Sequence, residues 1–123
     1  MLRALVIEDE SALQIFYKRV LEKVNYQVSI ASDGKQAILA LSSVNVPHLI
    51  VLDMRLPDTN GVEVLRHIAQ QEHLNDVHVV VATAGAEYEQ HLSLLPKADF
   101  LLKPVRPTQI IEIAEKQAER FMA

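Results

Sequence analysis

Five residues with ionisable or hydroxyl side chains stand where short apolar segments of the sequence end. They are Glu8, Asp9, Asp53, Thr83 and Lys103. Asp53 is the most prominent of the five, because four consecutive apolar residues run into it and a segment rich in Pro, Asp, Asn and Gly follows it. An aspartate at such a place either caps a loop or does chemistry. Residue 53 alone does not decide between the two, so the other four residues matter.

Three carboxylates in one crevice would need a compensating charge. A pair of like charges about 4 Å apart costs on the order of 4 kcal/mol at an effective dielectric of roughly 20. One lysine ammonium cannot neutralise three acids. Either some of the acids are protonated or a cation joins them. An all-oxygen cluster suits Mg²⁺, which binds a few carboxylates, a carbonyl and several waters.

A magnesium ion beside a lysine makes a site for a phosphoryl group. The metal and Lys103 would bear the charge of the group in transfer, while the Thr83 hydroxyl donates a hydrogen bond to one of its oxygens. Asp53 is then the candidate nucleophile, and its product would be an aspartyl phosphate.

The elements that must position these residues alternate between strand and helix. Apolar runs predict strands at 2–7, 27–31, 49–52, 77–82 and 100–102. Apolar residues at three- and four-residue spacing predict helices at 11–24, 61–70 and 107–121, with a weaker signal at 86–94. A turn at 32–34 leads into a further helix, whose apolar face is formed by residues 37, 38 and 41. Five such repeats predict a single doubly wound α/β domain, with helices on both faces of a parallel sheet.

The predicted strand order is 2-1-3-4-5, as in flavodoxin-like folds. That order makes the first and third strands neighbours and places a crevice between their carboxyl ends, where the winding reverses. In this arrangement the five polar residues crowd into one pocket.

Composition is consistent with one ordinary domain spanning residues 1–123. Half of the residues are apolar, 23% are charged and none is cysteine, so neither a disulfide framework nor a thiolate metal site is expected. A net charge of −4 argues against direct nucleic-acid binding, which needs a basic surface. Neither a signal peptide nor a membrane-spanning apolar run is evident, and a cytoplasmic protein is expected.

The residues that carry this argument resemble the receiver domain of two-component response regulators. The matching positions are Glu8-Asp9 for the acidic pair, Asp53 with Leu56-Pro57 and Gly61 for the phosphoacceptor and its loop, Thr83-Ala84 for the switch hydroxyl and its small neighbour, and Lys103-Pro104 for the lysine and proline. Each motif alone is weak, whereas the ordered set over the whole chain is specific.

The resemblance implies that Asp53 accepts a phosphoryl group from a histidine kinase or phosphotransfer protein. It also implies Mg²⁺ held by Glu8, Asp9, Asp53 and the backbone carbonyl of Arg55, and a cis peptide bond before Pro104. Such a domain signals to an output domain or protein, in some cases through a phosphorylation-dependent dimer. It is not an enzyme, although it assists its own phosphorylation and dephosphorylation.

The resemblance further implies a switch formed by Thr83 and Phe100. Phe100 lacks the hydroxyl of the tyrosine often found at this position, and a plain core aromatic is the alternative interpretation. Lys97 replaces a common glycine, and the segment from Thr83 to Lys103 is slightly short. Arg55 and Gly85 occupy variable positions beside the predicted pocket.

Other functions remain open at this point. A phosphatase with an aspartyl nucleophile would need an acid two residues after Asp53, where Arg55 stands. A flavin- or nucleotide-binding protein would need a phosphate-binding loop after the first strand, where Glu8-Asp9-Glu10 would repel phosphate. The domain can also be part of a larger transcriptional or enzymatic regulator, or a degenerate receiver that signals by binding alone. The five histidines lack the spacing of a metal site, and Asp58 is expected to be a solvated loop acid.

Overall fold

The computed structural model describes residues 1–84 and 93–122 of the chain. Its strands are β1 (Leu2–Ile7), β2 (Tyr26–Ala31), β3 (Leu49–Leu52), β4 (His78–Thr83) and β5 (Asp99–Leu102). The described α-helices are α1 (Ser11–Lys23), α2 (Gly34–Leu41), α3 (Gly61–Gln70) and α4 (Pro107–Met122). All strand pairs are parallel and the order is β2-β1-β3-β4-β5. The predicted fold class and strand order are confirmed.

Both faces of the sheet are covered, because alternate residues of each strand point to opposite sides. On one face, strand residues such as Ile50 and Val81 pack with α2 and α3. On the other face, residues such as Val51 and Val80 pack with α1 and α4. β3 is buried along its whole length, which explains why its sequence is uniformly apolar. The core therefore has two layers, with the polar site at one edge of the sheet.

The predicted element boundaries differ from the observed ones by one or two residues in several places. β4 includes Thr83 as its last residue and β2 begins at Tyr26. α1 ends at Lys23, and Asn25 beyond it adopts the left-handed backbone conformation with φ 68°, which asparagine tolerates after a helix. A short 3-10 helix at Glu72–Leu74 was not predicted.

The helix predicted at 86–94 falls mostly on residues 85–92, which lie outside the described residues, as do Gly85 and His91. Within residues 1–84 and 93–122, no helix is both long enough and apolar enough to cross a membrane.

Candidate functional site

The site lies at the carboxyl edge of the sheet, where β1 and β3 run side by side. Glu8 follows β1 directly and Asp53 follows β3 directly. The Asp53 amide donates a hydrogen bond to the Ile7 carbonyl at 3.0 Å, and the Glu8 amide donates to the Ala31 carbonyl at 3.0 Å. These bonds continue the parallel ladders beyond the strands. The backbone pairing of β1 with β3 therefore places the two acids next to each other.

Lys103 joins both acids. Its ammonium nitrogen Nζ lies 2.9 Å from Glu8 Oε1 and 3.2 Å from Asp53 Oδ2. The Lys103 amide donates to the Thr83 carbonyl at 3.0 Å, which fixes the start of the side chain at the end of β4. The Lys103–Pro104 peptide bond is cis, as predicted. The lysine thus enters the crevice from β5 and donates to two carboxylates.

Three carboxylates cluster around this crevice. One carboxylate oxygen from each of Glu8, Asp9 and Asp53 lies within 4.8 Å of the others. Glu8 is 1% exposed and Asp53 is 7% exposed, whereas Asp9 is exposed. Two buried acids and one exposed acid thus lie together, and the ligand atoms that they offer are all carboxylate oxygens.

The electrostatics of this carboxylate cluster favour an added cation. Burial, the largest cause, raises the pKa of Glu8 to about 7, and the neighbouring Asp53 charge adds to that rise, while the Lys103 hydrogen bond opposes it. Burial alone would lower the pKa of Lys103, but its contacts with Glu8 and Asp53 outweigh burial and raise it. Lys103 is therefore held as an ammonium beside an excess of negative charge. The arrangement fits a hard divalent cation, for which carboxylate oxygens are the preferred ligands.

Arg55 contributes through its backbone. Its amide donates to Asp53 Oδ1 at 3.1 Å, while Lys103 Nζ donates to Asp53 Oδ2, so both oxygens of the carboxylate accept hydrogen bonds. The Arg55 side chain is exposed. The carboxylate is consequently fixed in orientation with both oxygens engaged.

Thr83 and Phe100 lie on one face of the sheet. Phe100 pairs in register with Val81, two residues before Thr83 on β4, so the two side chains are diagonal neighbours. Thr83 is fully buried. Phe100 is half-buried and packs against the core layer that contains α2 and α3, which is the packing expected of a core aromatic as well as of a switch residue.

Comparison with known proteins identifies the family of the chain. The sequence model of the response regulator receiver domain matches residues 4–115. The chain belongs to the response regulator receiver family. It is thus a receiver domain of two-component response regulators, as the sequence motifs predicted.

Curated relatives of this receiver domain include transcriptional regulators. The alkaline phosphatase synthesis transcriptional regulatory protein PhoP of Bacillus subtilis is 33% identical over 109 residues, covering 88% of this chain and 45% of the relative. The phosphate regulon transcriptional regulatory protein PhoB of Escherichia coli is 32% identical over 111 residues, covering 89% of this chain and 48% of the relative. The chain spans about half the length of these relatives.

Solved receiver domains share the fold over nearly the whole chain. A CheY-like receiver domain protein of Methanospirillum hungatei has a TM-score of 0.82 and 28% identity, with 99% of this chain and 98% of that chain covered. The response regulator TrrA of Thermotoga maritima, solved in complex with Mg²⁺-BeF, has a TM-score of 0.82 and 26% identity, with 95% and 99% covered.

The structure also shows polar contacts of this receiver domain that the sequence did not reveal. Asp58, predicted to be a solvated loop acid, is exposed but accepts two backbone hydrogen bonds from the start of α2. Gln14 Nε2 donates to the Glu8 carbonyl at 2.6 Å and to Ser32 Oγ at 3.1 Å. A Pro-Asp turn signal and a helical glutamine are common in any sequence, so no local pattern could have identified these partners.

Proposed function

We propose that the domain, spanning residues 1–123, is a phosphoacceptor whose acceptor is Asp53. The observation that carries this proposal is the Lys103 ammonium placed between Asp53 and Glu8 in a cluster of three acids. One ammonium does not neutralise the buried carboxylates around it. The remaining negative charge would repel the oxygens of an incoming phosphoryl group. A divalent cation together with Lys103 makes the same crevice attractive to a phosphoryl group.

The transfer itself requires little of the protein beyond placement. An Asp53 oxygen attacks the phosphorus of a phosphohistidine, the new O–P bond forms as the P–N bond breaks, and the leaving imidazole keeps the electron pair and takes up a proton. The Arg55 amide and Lys103 hold the attacking carboxylate in one orientation, which lowers the entropic cost of reaching the reactive geometry. Lys103 then donates to a phosphoryl oxygen, and the proposal gives the Thr83 hydroxyl, at the end of β4, the same role.

The donor set fits magnesium. Glu8, Asp9 and Asp53 would hold the ion together with the carbonyl of Arg55. When bound, Mg²⁺ supplies positive charge that screens the acids from one another and from the incoming phosphoryl oxygens. Receiver domains bind Mg²⁺ at an acidic pocket, and assignment of these four ligands to it is part of the proposal.

We further propose that Thr83 and Phe100 form the switch. Phosphorylation adds charge and acceptor oxygens at Asp53, which draws the Thr83 hydroxyl toward the site. Because Phe100 is the diagonal neighbour of Thr83 on the same face, displacement of Thr83 opens space that the Phe100 ring can enter. Two conformations a few kcal/mol apart would suffice for phosphorylation to shift the population.

Receiver domains are signalling domains that work with histidine kinases and output domains. We propose a histidine kinase or phosphotransfer protein as the phosphoryl donor, and an output domain or protein as the target, because the curated relatives are transcriptional regulators about twice the length of this chain. Four further points stay predictions. They are a role without enzymatic output of its own, a phosphorylation-dependent dimer, no direct contact of this domain with nucleic acid, and a cytoplasmic location.

The test is phosphorylation by acetyl phosphate with MgCl₂, followed by intact mass spectrometry. The wild type should gain one phosphoryl group, and Asp53→Asn should gain none. Asp76→Asn is the matched control, since Asp76 is an exposed acid with an 89% exposed side chain outside the cluster, and it should react as the wild type does. No adduct on the wild type with acetyl phosphate or with a phosphorylated kinase would contradict the proposal and favour a receiver that signals by binding alone.

A further inference from the structure

The loop that follows Asp53 is closed on itself and touches α2 at its tip. The Gly61 amide donates to the Met54 carbonyl at 2.7 Å, and Arg55 and Asn60 form an isolated antiparallel bridge. The loop of residues 53–61, named the acceptor loop here, is thus pinned at its base. A loop pinned only at the base would leave its exposed tip undefined.

Asp58 at that tip binds the first turn of α2. Its Oδ1 accepts from the Gly34 amide at 2.7 Å and its Oδ2 accepts from the Lys35 amide at 3.0 Å. The first amides of a helix have no partner within the helix, so a carboxylate aligned with the helix dipole is a favoured acceptor. These hydrogen bonds lower the pKa of Asp58. Both oxygens of the Asp58 carboxylate therefore accept hydrogen bonds from the start of α2, which lies 24 residues earlier in the chain.

Packing reinforces this contact. A Cβ atom at Gly34 would overlap Thr59 Cγ2 and lie 3.1 Å from Asp58 Oδ1. Glycine at the start of α2 therefore allows the tip of the acceptor loop to approach the helix closely. The same helix end has its own cap, because Asp33 accepts from the Gln36 amide at 2.8 Å. Asp58 is thus a second capping residue, one that comes from the acceptor loop.

We propose that Asp58 is a positioning residue: by tying the acceptor loop to α2, it holds the backbone at Asp53 and Arg55 in the geometry that binds the metal and the phosphoryl group. This inference rests on the proposed function. The connection from Asp58 to the acceptor carboxylate is short, since the Arg55 amide contacts Asp53 Oδ1 directly and Arg55 bridges to Asn60, which lies close to Asp58 in the chain. Release of the tip loosens the Arg55 backbone, and with it one hydrogen bond to the acceptor carboxylate. The first turn of α2 in turn responds to occupancy of the site.

Three variants separate this role from simple helix capping. Asp58→Ala removes both acceptor oxygens of the tether, and Asp58→Asn keeps one acceptor oxygen but loses the charge. Asp33→Ala is the matched control, because it removes a cap from the same helix without touching the acceptor loop. Each protein is titrated with MgCl₂ and followed by ¹H–¹⁵N NMR, and its thermal unfolding is measured in EDTA.

We expect Asp58→Ala to weaken Mg²⁺ binding by about tenfold, the scale at which outer-shell partners act on metal sites. Asp58→Asn should be intermediate, and Asp33→Ala should bind Mg²⁺ as the wild type does although its unfolding temperature falls. The Gly34 and Lys35 amide signals should shift on Mg²⁺ addition in the wild type and in Asp33→Ala. In Asp58→Ala those shifts should be lost.

Several outcomes overturn the proposal. Wild-type Mg²⁺ affinity in Asp58→Ala would do so, as would an equal loss in Asp33→Ala, which would assign the effect to the stability of α2. Equal losses in Asp58→Asn and Asp58→Ala would assign it to charge alone. If the wild type binds Mg²⁺ and is phosphorylated while the variants match it, only this inference fails. If the wild type does neither, the proposed function fails as well.

Discussion

Glu8→Gln should stabilise the metal-free domain, and the gain should depend on pH. Glu8 is an almost completely buried carboxyl whose pKa is raised from 4.5 to about 7. Between those two values the folded state holds a proton at Glu8 that the unfolded state has released. Stability therefore falls as pH rises through this window, and the loss is complete above pH 7. At ~1.4 kcal/mol per pKa unit, the ionised Glu8 costs about 3 kcal/mol.

Glutamine removes this cost because it cannot ionise, while its side-chain oxygen can still accept from Lys103 Nζ, which lies 2.9 Å from Glu8 Oε1 in the wild type. The assay is urea unfolding in EDTA, followed by far-UV circular dichroism because the chain has no tryptophan. At roughly 2 kcal/mol per molar urea, the midpoint at pH 8 should rise by about 1.5 M. At pH 4.5 the two proteins should unfold at the same urea concentration.

Glu10→Gln is the matched control, since Glu10 is an exposed acid next to the cluster, and it should leave the midpoint unchanged at both pH values. With MgCl₂ present, the advantage of Glu8→Gln should shrink or reverse, because a ligand that binds only the folded state stabilises the wild type. Equal midpoints for wild type and Glu8→Gln at pH 8 in EDTA would refute the reasoning. A difference that is the same at both pH values would also refute it, since the effect would then not come from ionisation.

The remaining predictions concern packing and a second titrating group. Tyr26→Phe should cost about 1 kcal/mol, because the Tyr26 hydroxyl donates to a backbone carbonyl of α4 at 2.7 Å. Tyr17→Phe should instead raise stability by about 1 kcal/mol, since the buried Tyr17 hydroxyl has no partner among the described residues; the opposite order in urea unfolding would contradict both. Gly61→Ala should lower stability by about 1–3 kcal/mol, because its Cβ would lie 2.6 Å from the Met54 Cα, and an unchanged unfolding temperature would contradict this. Burial lowers the pKa of His48 from 6.5, so the unfolded state protonates first and stability falls as pH drops below 6.5. In the wild type the Arg3 amide of β1 donates to His48 Nδ1 at 3.0 Å. His48→Asn keeps an acceptor for this amide but does not titrate, so its urea unfolding should not show this fall in stability.

The alternation of apolar runs and helical periodicity sufficed to predict a parallel sheet of five strands with helices on both of its faces. A strand buried on both sides, such as β3 (Leu49–Leu52), must be apolar throughout. A run of consecutive apolar residues therefore indicates such a strand in the sequence. Parallel strands with helical connections have few allowed arrangements. For that reason the sequence also indicated that Asp53 and Lys103 would meet at one edge of the sheet.

Details of the site depended on contacts between segments distant in the chain. Glu8 and Asp9 are chemically alike neighbours, yet one is buried and the other exposed, a difference that residue type alone does not indicate. Likewise, Asp58 could not be matched in advance with the Gly34 amide, 24 residues earlier.

Periodicity records which face of an element is covered, and it was enough to specify the fold and to bring the reactive residues to one edge. It carries no record of which donor meets which acceptor. Those pairings arise when loops approach within about 3 Å, the range over which hydrogen bonds act, and only the folded chain brings them that close.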